Sequence, residues 1–217
     1  MIVIASPDRP QSISEERANS LSHGVGFLLA LVAAPILIIA AARQGNVLNI
    51  VGASVFAGTM VMLYLSSALY HALPPGRAKN LFAKIDHGAI FLFIAGTYTP
   101  FSLGVLNGAW GWTLFGLIWG IAVVGLVLKA LERLSHPWLS TGLYLAMGWL
   151  VVIAAVPLLE RVSAAGVAWL VAGGLAYTMG VYFYLTDARI KFGHFVWHLF
   201  VMAGSACHFF AVLWYSA

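Results

Sequence analysis

Long apolar segments and short polar breaks alternate along most of the 217-residue chain. Breaks such as RQGN and LPPGRAKN are rich in the Gly, Pro and charged residues that end helices. Each apolar segment is close to the roughly 20 residues that a helix needs to cross a bilayer. The pattern predicts an all-α membrane protein with seven transmembrane helices, at about 23–42, 48–71, 84–105, 110–129, 138–158, 163–185 and 194–215.

The composition supports this class. Hydrophobic residues make up 62% of the chain and charged residues only 8%, whereas soluble domains have roughly 45–50% and 25%. The formal net charge of +4 fits the basic cytoplasmic loops of a membrane protein and gives no reason to expect a nucleic-acid partner. The single cysteine, Cys207, excludes an intrachain disulfide and is expected to be a small residue in the protein core.

The chain divides into a polar N-terminal segment, residues 1–22, and a single transmembrane domain, residues 23–217. The first segment lacks the apolar core and cleavage site of a signal peptide, so we expect the first span to drive insertion. Ser12 and Glu15 fit a capping box, which predicts a helix that starts near Ile13 and continues into that span.

Two spans contain residues that affect helix geometry and packing. Pro100 lies in the third span and is expected to kink it. The sixth span carries a face of small residues, which favours close helix packing. This face consists of Gly173, Gly174, Ala176 and Gly180.

The distribution of lysine and arginine predicts the orientation. The first, third and fifth loops and the C-terminus hold only Arg43 and Arg161. The N-terminus and the other loops hold nine basic residues, Arg9, Arg17, Arg77, Lys79, Lys84, Lys129, Arg133, Arg189 and Lys191. Because basic loops stay on the cytoplasmic side, the N-terminus is predicted in the cytoplasm and the C-terminus outside. The plasma membrane is the expected location.

With this orientation, four helices bring polar residues to the cytoplasmic leaflet. Ionisable side chains at membrane depth are costly and therefore indicate a functional site. The alternative is a set of interfacial side chains that hydrogen-bond to neighbouring helices. The residues are Glu16, Asn19 and His23 on the first span, Ser67 and His71 on the second, Asp86 and His87 on the third, and His194 and His198 on the seventh.

The histidines among them predict a metal site. His194 and His198 are four residues apart and so share one helix face. With His71 they would supply three imidazoles and leave one position open, which is typical of catalytic zinc. Asp86 could orient a ligand or hold the zinc-bound water, and Ser67 lies one turn from His71. Alternatively, Asp86 pairs with Lys84 or an arginine and Ser67 is a helix-packing hydroxyl.

The remaining histidines are weaker candidates. His23 could be a fourth ligand, but a polar network with Glu16 or Asn19 is favoured. His87 points about 100° away from Asp86 around its helix, so an orienting or structural role is expected.

Two histidines are expected to lie outside the site. His208 lies about 15 Å beyond His198 along the helix axis, which predicts a separate buried hydrogen bond. His136 precedes a proline in a loop and is expected to be solvated.

Three motifs occur in order on these spans. They are E-x-x-N-x-x-x-H from Glu16 to His23, S-x-x-x-H from Ser67 to His71 followed by Asp86 and GTYTP, and H-x-x-x-H from His194 to His198. Together they resemble the progestin and adipoQ receptor family, and more closely its bacterial hemolysin III-like branch. The resemblance covers nearly the whole chain.

The resemblance implies seven helices with a cytoplasmic N-terminus and zinc held at His71, His194 and His198. It also implies that Asp86 lies near the zinc-bound water and Ser67 close to the site. Eukaryotic members resemble alkaline ceramidases, which implies hydrolysis of a lipid amide, and a role in membrane homeostasis is implied for the bacterial branch. This chain lacks the long N-terminal region of adiponectin receptors, so hormone binding is not expected.

Three functions are compatible with these features. The first is a zinc-dependent hydrolase of a lipid amide or ester, with Asp86 as general base and Ser67 bound to the water or the oxyanion. The second is a non-catalytic membrane regulator with structural zinc, and the third is a hemolysin-type pore former. A wide pore would need polar residues along several spans, whereas here they collect at one end.

Overall fold

A computed structural model describes residues 9–134 and 136–216, and every regular element in these ranges is helical. The elements are α1 (Ile13–Arg43), α2 (Val47–Ala72), α3 (Arg77–Leu103), α4 (Ala109–Ala130), α5 (Pro137–Gly148), a 3₁₀ helix (Leu150–Ala154), α6 (Ala155–Arg161), α7 (Ala164–Leu185) and α8 (Gly193–Tyr215).

Six helical stretches within the described ranges are long and apolar enough to cross a membrane. They are α1, α2, α4, Pro137–Arg161, α7 and α8. Large apolar side chains such as Leu28, Val124 and Leu159 are more than half exposed on the protein surface, as expected for side chains that face lipid. The chain is therefore an all-helical membrane protein, and the count of seven spans remains a prediction for α3.

The third helix, α3, is long enough to span a bilayer but is not among the six apolar stretches, because polar and charged residues are spread along it. Its residues are mostly buried from Tyr98 to Leu103 and at Asp86, Gly88 and Phe91. The helix packs against α2 and α4 and also contacts α5 and α8. Protein therefore surrounds the later part of α3, and the polar side chains there have protein neighbours instead of lipid.

The start of α1 confirms the predicted capping box. The Ser12 side chain accepts a hydrogen bond from the Glu15 backbone N–H, and the Glu15 carboxylate accepts one from the Ser12 backbone N–H. These two bonds satisfy backbone donors that the first turn leaves free. The helix begins at Ile13 and runs without interruption to Arg43, as predicted.

The fifth predicted span, 138–158, is confirmed as a helical stretch long enough to cross a membrane, Pro137–Arg161, but it is not one regular α-helix. Helix α5 ends at Gly148 and a 3₁₀ helix precedes α6. The hydroxyl of Tyr98 on α3 lies 2.8 and 2.7 Å from the carbonyl oxygens of Met147 and Gly148, and it accepts a hydrogen bond from the N–H of Val151. A break at membrane depth needs such partners because no water is available to bind the freed backbone groups.

Glycines allow close helix contacts at several points. A Cβ on Gly52 of α2 would lie 2.8 Å from the Cα of Pro100 on α3. Gly173 and Gly180 of the predicted small-residue face are buried against α8, whereas Gly174 approaches only Trp149. Helix α3 continues through Pro100 to Leu103, and the kink there remains a prediction.

The helices enclose an interior space. Consecutive helices pack side by side from α1 to α4, α5 contacts both α3 and α7, and α7 packs against α8. Helix α8 contacts α1 and so closes the ring. The first turns of α1 and α8 and the last turn of α2 meet at one end of this ring.

Candidate metal centre

The three predicted ligand histidines lie together at that end. His71 comes from the last turn of α2, and His194 and His198 come from the first two turns of α8. One ring nitrogen from each residue lies within 4.8 Å of the others, which is a spacing that could hold a metal ion. His71 and His198 are buried and His194 is half-buried.

Carboxylates hold two of these rings. The Nδ1 atom of His71 lies 2.7 Å from Oε2 of Glu16, and the Nδ1 atom of His194 lies 2.9 Å from Oδ2 of Asp187. In a neutral imidazole that donates from Nδ1, the lone pair is on Nε2. Both rings therefore present Nε2 as the free ligand atom.

Neutral acceptors hold the third ring. The Nδ1 atom of His198 lies 3.0 Å from Oγ of Ser22 and 3.2 Å from the carbonyl oxygen of Asn19. Since the Ser22 hydroxyl donates to that same carbonyl, its oxygen is free to accept from His198. A carbonyl can only accept, so Nδ1 carries the proton here too and Nε2 is the available ligand atom.

This donor set fits zinc. Zinc prefers imidazole nitrogen, and catalytic zinc sites often use three such ligands. The Nε2 atom of His71 is buried and has no hydrogen-bond partner among the described residues. A buried nitrogen without a partner is costly, and a metal ion bound there would satisfy it. An acceptor at Nδ1 of each ligand histidine is the usual support for such a site.

Asp86 and Ser67 lie beside the histidines. Both line a cavity of about 130 Å³ that His194 and His198 also line. Asp86 is 8% exposed and Ser67 is 1% exposed. The structure thus brings together the five residues predicted as ligands and catalytic groups, although their roles remain proposals.

Lys84, one of the alternative partners expected for Asp86, is engaged elsewhere. The Nζ atom of Lys84 lies 2.6 Å from Oε1 of Glu132, which follows α4. The hydrogen bond from the Lys84 ammonium group holds the pKa of Glu132 below its usual range. Asp86 lines the cavity and takes no part in this exposed ion pair.

The cavity is mostly apolar. Its volume exceeds by several times the roughly 15 Å³ that one water needs. Beyond the histidines its walls include Phe93, Leu145, Trp197 and Val201, and it extends to Trp149 at the break between α5 and the 3₁₀ helix. Such a space suits a few waters near the polar end and an apolar chain along the rest.

His23 does not form the predicted network. Its ring stacks on His198, with a centroid distance of 3.5 Å and an angle of 9° between the planes. Neither ring nitrogen hydrogen-bonds within the described residues. Glu16 instead contacts His71 and Lys79, so the predicted pairing of His23 was wrong.

The contacts of Asn19 show why it does not pair with His23. Its side-chain amide donates to Gln11, and its backbone carbonyl accepts from His198. Asn19 is fully buried, so its side chain and backbone join the N-terminal residues to α8. It still contributes to the polar network at the site, through His198 and not through His23.

His208 and His87 lie in the wall of the same cavity. As predicted, His208 is outside the group that could hold a metal. Its ring packs on Gly173 and meets Tyr177 edge-on, but its nitrogens have no hydrogen-bond partner within the described residues, contrary to the prediction. The backbone carbonyl of His87 accepts a hydrogen bond from Tyr144, which ties α3 to α5.

Sequence reasoning missed two groups that hold ligand rings. Asp187 lies in the segment between α7 and α8, seven residues before His194, and Ser22 lies one residue before His23. A carboxylate near an H-x-x-x-H motif was a usable signal for Asp187. Ser22 gave no signal, because an N-terminal serine on α1 can reach α8 only through the tertiary fold.

These features define an integral membrane protein with a buried three-histidine centre that could bind a metal ion. Residues 11–209 match the haemolysin-III related family. The chain therefore belongs to this family, which confirms the assignment made from the motifs.

Similar proteins extend over almost the whole chain. A hemolysin-3 homolog of Bacillus subtilis is 45% identical over 94% of this chain and 95% of its own length. Hemolysin-3 of Bacillus cereus is 42% identical over 94% and 93%. The human monocyte to macrophage differentiation factor is 26% identical over 91% and 83%. No solved structure matches the chain significantly. The bacterial relatives and the apolar helices place this protein in the plasma membrane.

Proposed function

We propose that this protein is a zinc-dependent membrane hydrolase that cleaves a lipid amide or ester at the cytoplasmic leaflet. His71, His194 and His198 would hold the zinc ion. Asp86 is the proposed general base and Ser67 the proposed hydrogen-bonding partner of the water or the developing oxyanion. Residues 23–217 form the transmembrane domain in this proposal, and residues 1–22 lie in the cytoplasm.

One observation carries the proposal. All three histidines are fixed through Nδ1; His194 and His198 line the same cavity as Asp86 and Ser67, and a ring nitrogen of His71 lies within 4.8 Å of theirs. A purely structural metal site has no need of an adjoining cavity or of a free carboxylate beside it. Catalytic zinc sites keep one position open, and a cavity gives water and substrate access to that position.

The residues around the centre suit this chemistry. When bound, zinc supplies a Lewis acid that activates water and polarises a carbonyl group. Asp86 lies at the cavity and can accept a proton from water there. The Ser67 hydroxyl can donate to an oxygen of the reacting group. Glu16 and Asp187 hold His71 and His194 in place while these transfers occur.

The apolar walls of the cavity support a lipid substrate. Aromatic and aliphatic side chains line most of the space beyond the histidines. The scissile carbonyl would lie at the histidine end, and an apolar chain would extend past Phe93 toward Trp149. Such a substrate would enter sideways from the bilayer, because the outer surface of the helices is apolar.

The proposed orientation has seven spans, with the N-terminus in the cytoplasm and the C-terminus outside. The excess of basic residues in alternate loops supports it. The contacts of Glu16 with His71 and of Lys84 with Glu132 join the ends and loops that this orientation puts on one side. The metal centre then lies near the cytoplasmic leaflet.

A non-catalytic regulator is the second candidate. The observation that favours it is the burial of the centre, since His198 and His71 are 2% and 4% exposed. A zinc ion there could join α2 to α8 without any reaction. Pore formation is less well supported because the polar side chains collect at one end of the ring.

The variant Asp86→Asn separates enzyme from regulator. It keeps the size of the side chain but removes the base. If the protein is an enzyme, zinc occupancy should stay near that of the wild type and lipid turnover should fall at least about 100-fold, the lower range for a general base. The assay should offer ceramide-like amides and phospholipid esters in bilayers to purified, zinc-loaded protein.

The matched control is Glu132→Gln, which removes an exposed carboxylate that does not line the cavity and should leave turnover unchanged. Turnover that survives in Asp86→Asn would show that Asp86 is not the base. A zinc-loaded wild type that cleaves no lipid class would favour the regulator.

A further inference from the structure

The carboxylate of Glu15 forms five hydrogen bonds at the end of the helix ring where the histidines lie. Arg9 donates two, at 2.9 and 2.6 Å, and Ser12 donates two, from its backbone N–H at 2.9 Å and its hydroxyl at 2.7 Å. The fifth comes from the backbone N–H of Phe192, at 2.8 Å. Glu15 is 3% exposed, although charged residues are rarely so buried. A capping box needs only the contacts with Ser12, so the others require another explanation.

The contact with Phe192 falls where α8 begins. Phe192 is the N-cap of α8, has a φ of 60° and makes no side-chain cap. A residue other than glycine is strained in this left-handed conformation and needs surrounding structure to hold it there. The Glu15 carboxylate supplies an acceptor at that residue. It also places a negative charge near the positive end of the α8 dipole.

The first turn of α1 also contacts α2, the helix that carries His71. Glu16, the next residue, accepts from His71 on α2 and pairs with Lys79. His194 follows Phe192 by two residues and His198 follows it by six. Two adjacent carboxylates on α1 therefore hold the end of α2 and the start of α8, which carry all three candidate ligands.

We propose that Glu15 is a positioning residue for the metal centre: it fixes the start of α8 and thereby the placement of His194 and His198. Arg9 assists by holding the carboxylate in place. This inference rests on the proposed zinc site. The N-terminal segment would thus contribute to metal affinity as well as cap the start of α1.

The test measures the zinc dissociation constant of purified protein by chelator competition. Glu15→Ala should weaken zinc binding about tenfold, the lower range for residues that support metal ligands. Glu15→Gln should lose less, because its amide oxygen can still accept from Phe192. Glu132→Gln is the matched control, since it removes a carboxylate paired with a lysine at an exposed site, and it should bind zinc as the wild type does.

A rescue experiment separates positioning from general stability. Phe192→Gly adopts the left-handed conformation without strain, so Glu15→Ala combined with Phe192→Gly should recover most of the lost affinity. The absorption spectrum of bound cobalt(II) should change in Glu15→Ala and return toward that of the wild type in the double variant. The free energy of unfolding of each variant, measured beside zinc affinity, separates the two effects: affinity that returns without a matching gain in stability is due to positioning.

Wild-type zinc affinity in Glu15→Ala would overturn the inference. If that variant does not fold, Glu15→Gln and Arg9→Gln decide: weaker zinc binding in both supports positioning, and wild-type affinity in both overturns it. Failure of the zinc site itself would be recognised separately, because the wild type and His194→Ala would then bind zinc equally poorly.

Discussion

The Nδ1 atom of His194 lies 2.9 Å from Oδ2 of Asp187, in the segment that joins α7 to α8. The carboxylate accepts from Nδ1 and so leaves Nε2 as the ring nitrogen available to a metal ion. Asp187→Asn keeps an acceptor but removes the charge that favours donation from Nδ1. We expect zinc affinity to fall about tenfold, since such partners typically contribute 10–100-fold. Chelator competition on purified protein measures this change.

The control for this variant is again Glu132→Gln, which should retain the affinity of the wild type. If Asp187→Asn binds zinc as tightly as the wild type, Asp187 does not support the metal centre. His194 would then be held by its packing against His71 and Tyr184.

Removal of a ligand histidine should remove the metal. His194→Ala and His198→Ala each delete one of three proposed ligands, and we expect each variant to lose most of its zinc. The wild type should carry about one zinc ion per chain, measured by elemental analysis after purification. His208→Ala serves as the control and should keep its zinc, because His208 is outside the histidine group. Loss of zinc from His208→Ala but not from His194→Ala would show that the assigned ligands are wrong.

Substitution of Gly52 should destabilise the contact between α2 and α3. A Cβ at this position would lie 2.8 Å from the Cα of Pro100, and a backbone atom cannot move aside easily. Gly52→Ala should lower the free energy of unfolding by about 1–3 kcal/mol, as overpacking does. Denaturation in mixed micelles provides the measurement.

Gly58 on the same helix is the matched control, since a Cβ there meets nothing within 4 Å. Gly58→Ala should be neutral or slightly stabilising, because alanine favours helix over glycine. Equal stabilities for the two variants would mean that α2 and α3 can separate at Pro100 without cost.

The orientation can be tested with a reporter fused after Ala217. The excess of nine basic residues over two in alternate loops predicts an outer C-terminus. A reporter that works only outside the cytoplasm should therefore be active, and one that works only in the cytoplasm should be inactive. The opposite result would place the histidines near the outer leaflet and would move the proposed reaction there.

Local sequence determined the helices and the candidate ligands. Apolar runs near 20 residues predicted six of the elements that are now seen as apolar helices, and the Ser12–Glu15 pair predicted the start of α1. The spacing of His194 and His198 placed both on one face of α8, because the backbone geometry of a helix fixes that relationship without help from the rest of the fold. The depth of His71 and Asp86 followed from the order of the spans.

Tertiary structure decided the contacts that act between helices. Glu15 and Phe192 are 177 residues apart, and Ser22 and His198 are 176 apart, so no local pattern could pair them. The stacking of His23 on His198 likewise depends on how closely α1 approaches α8.

The break after α5 also depends on tertiary contacts. A run of apolar residues predicts a continuous helix, and only Tyr98 on α3 supplies the partners that let the backbone depart from it. Helix periodicity is a property of neighbouring residues, whereas the orientation of a histidine ring depends on whichever group the packed helices bring to its Nδ1. The sequence by itself therefore determined which residues could bind a metal ion, and the packing of α1, α2 and α8 decided which groups hold them in place.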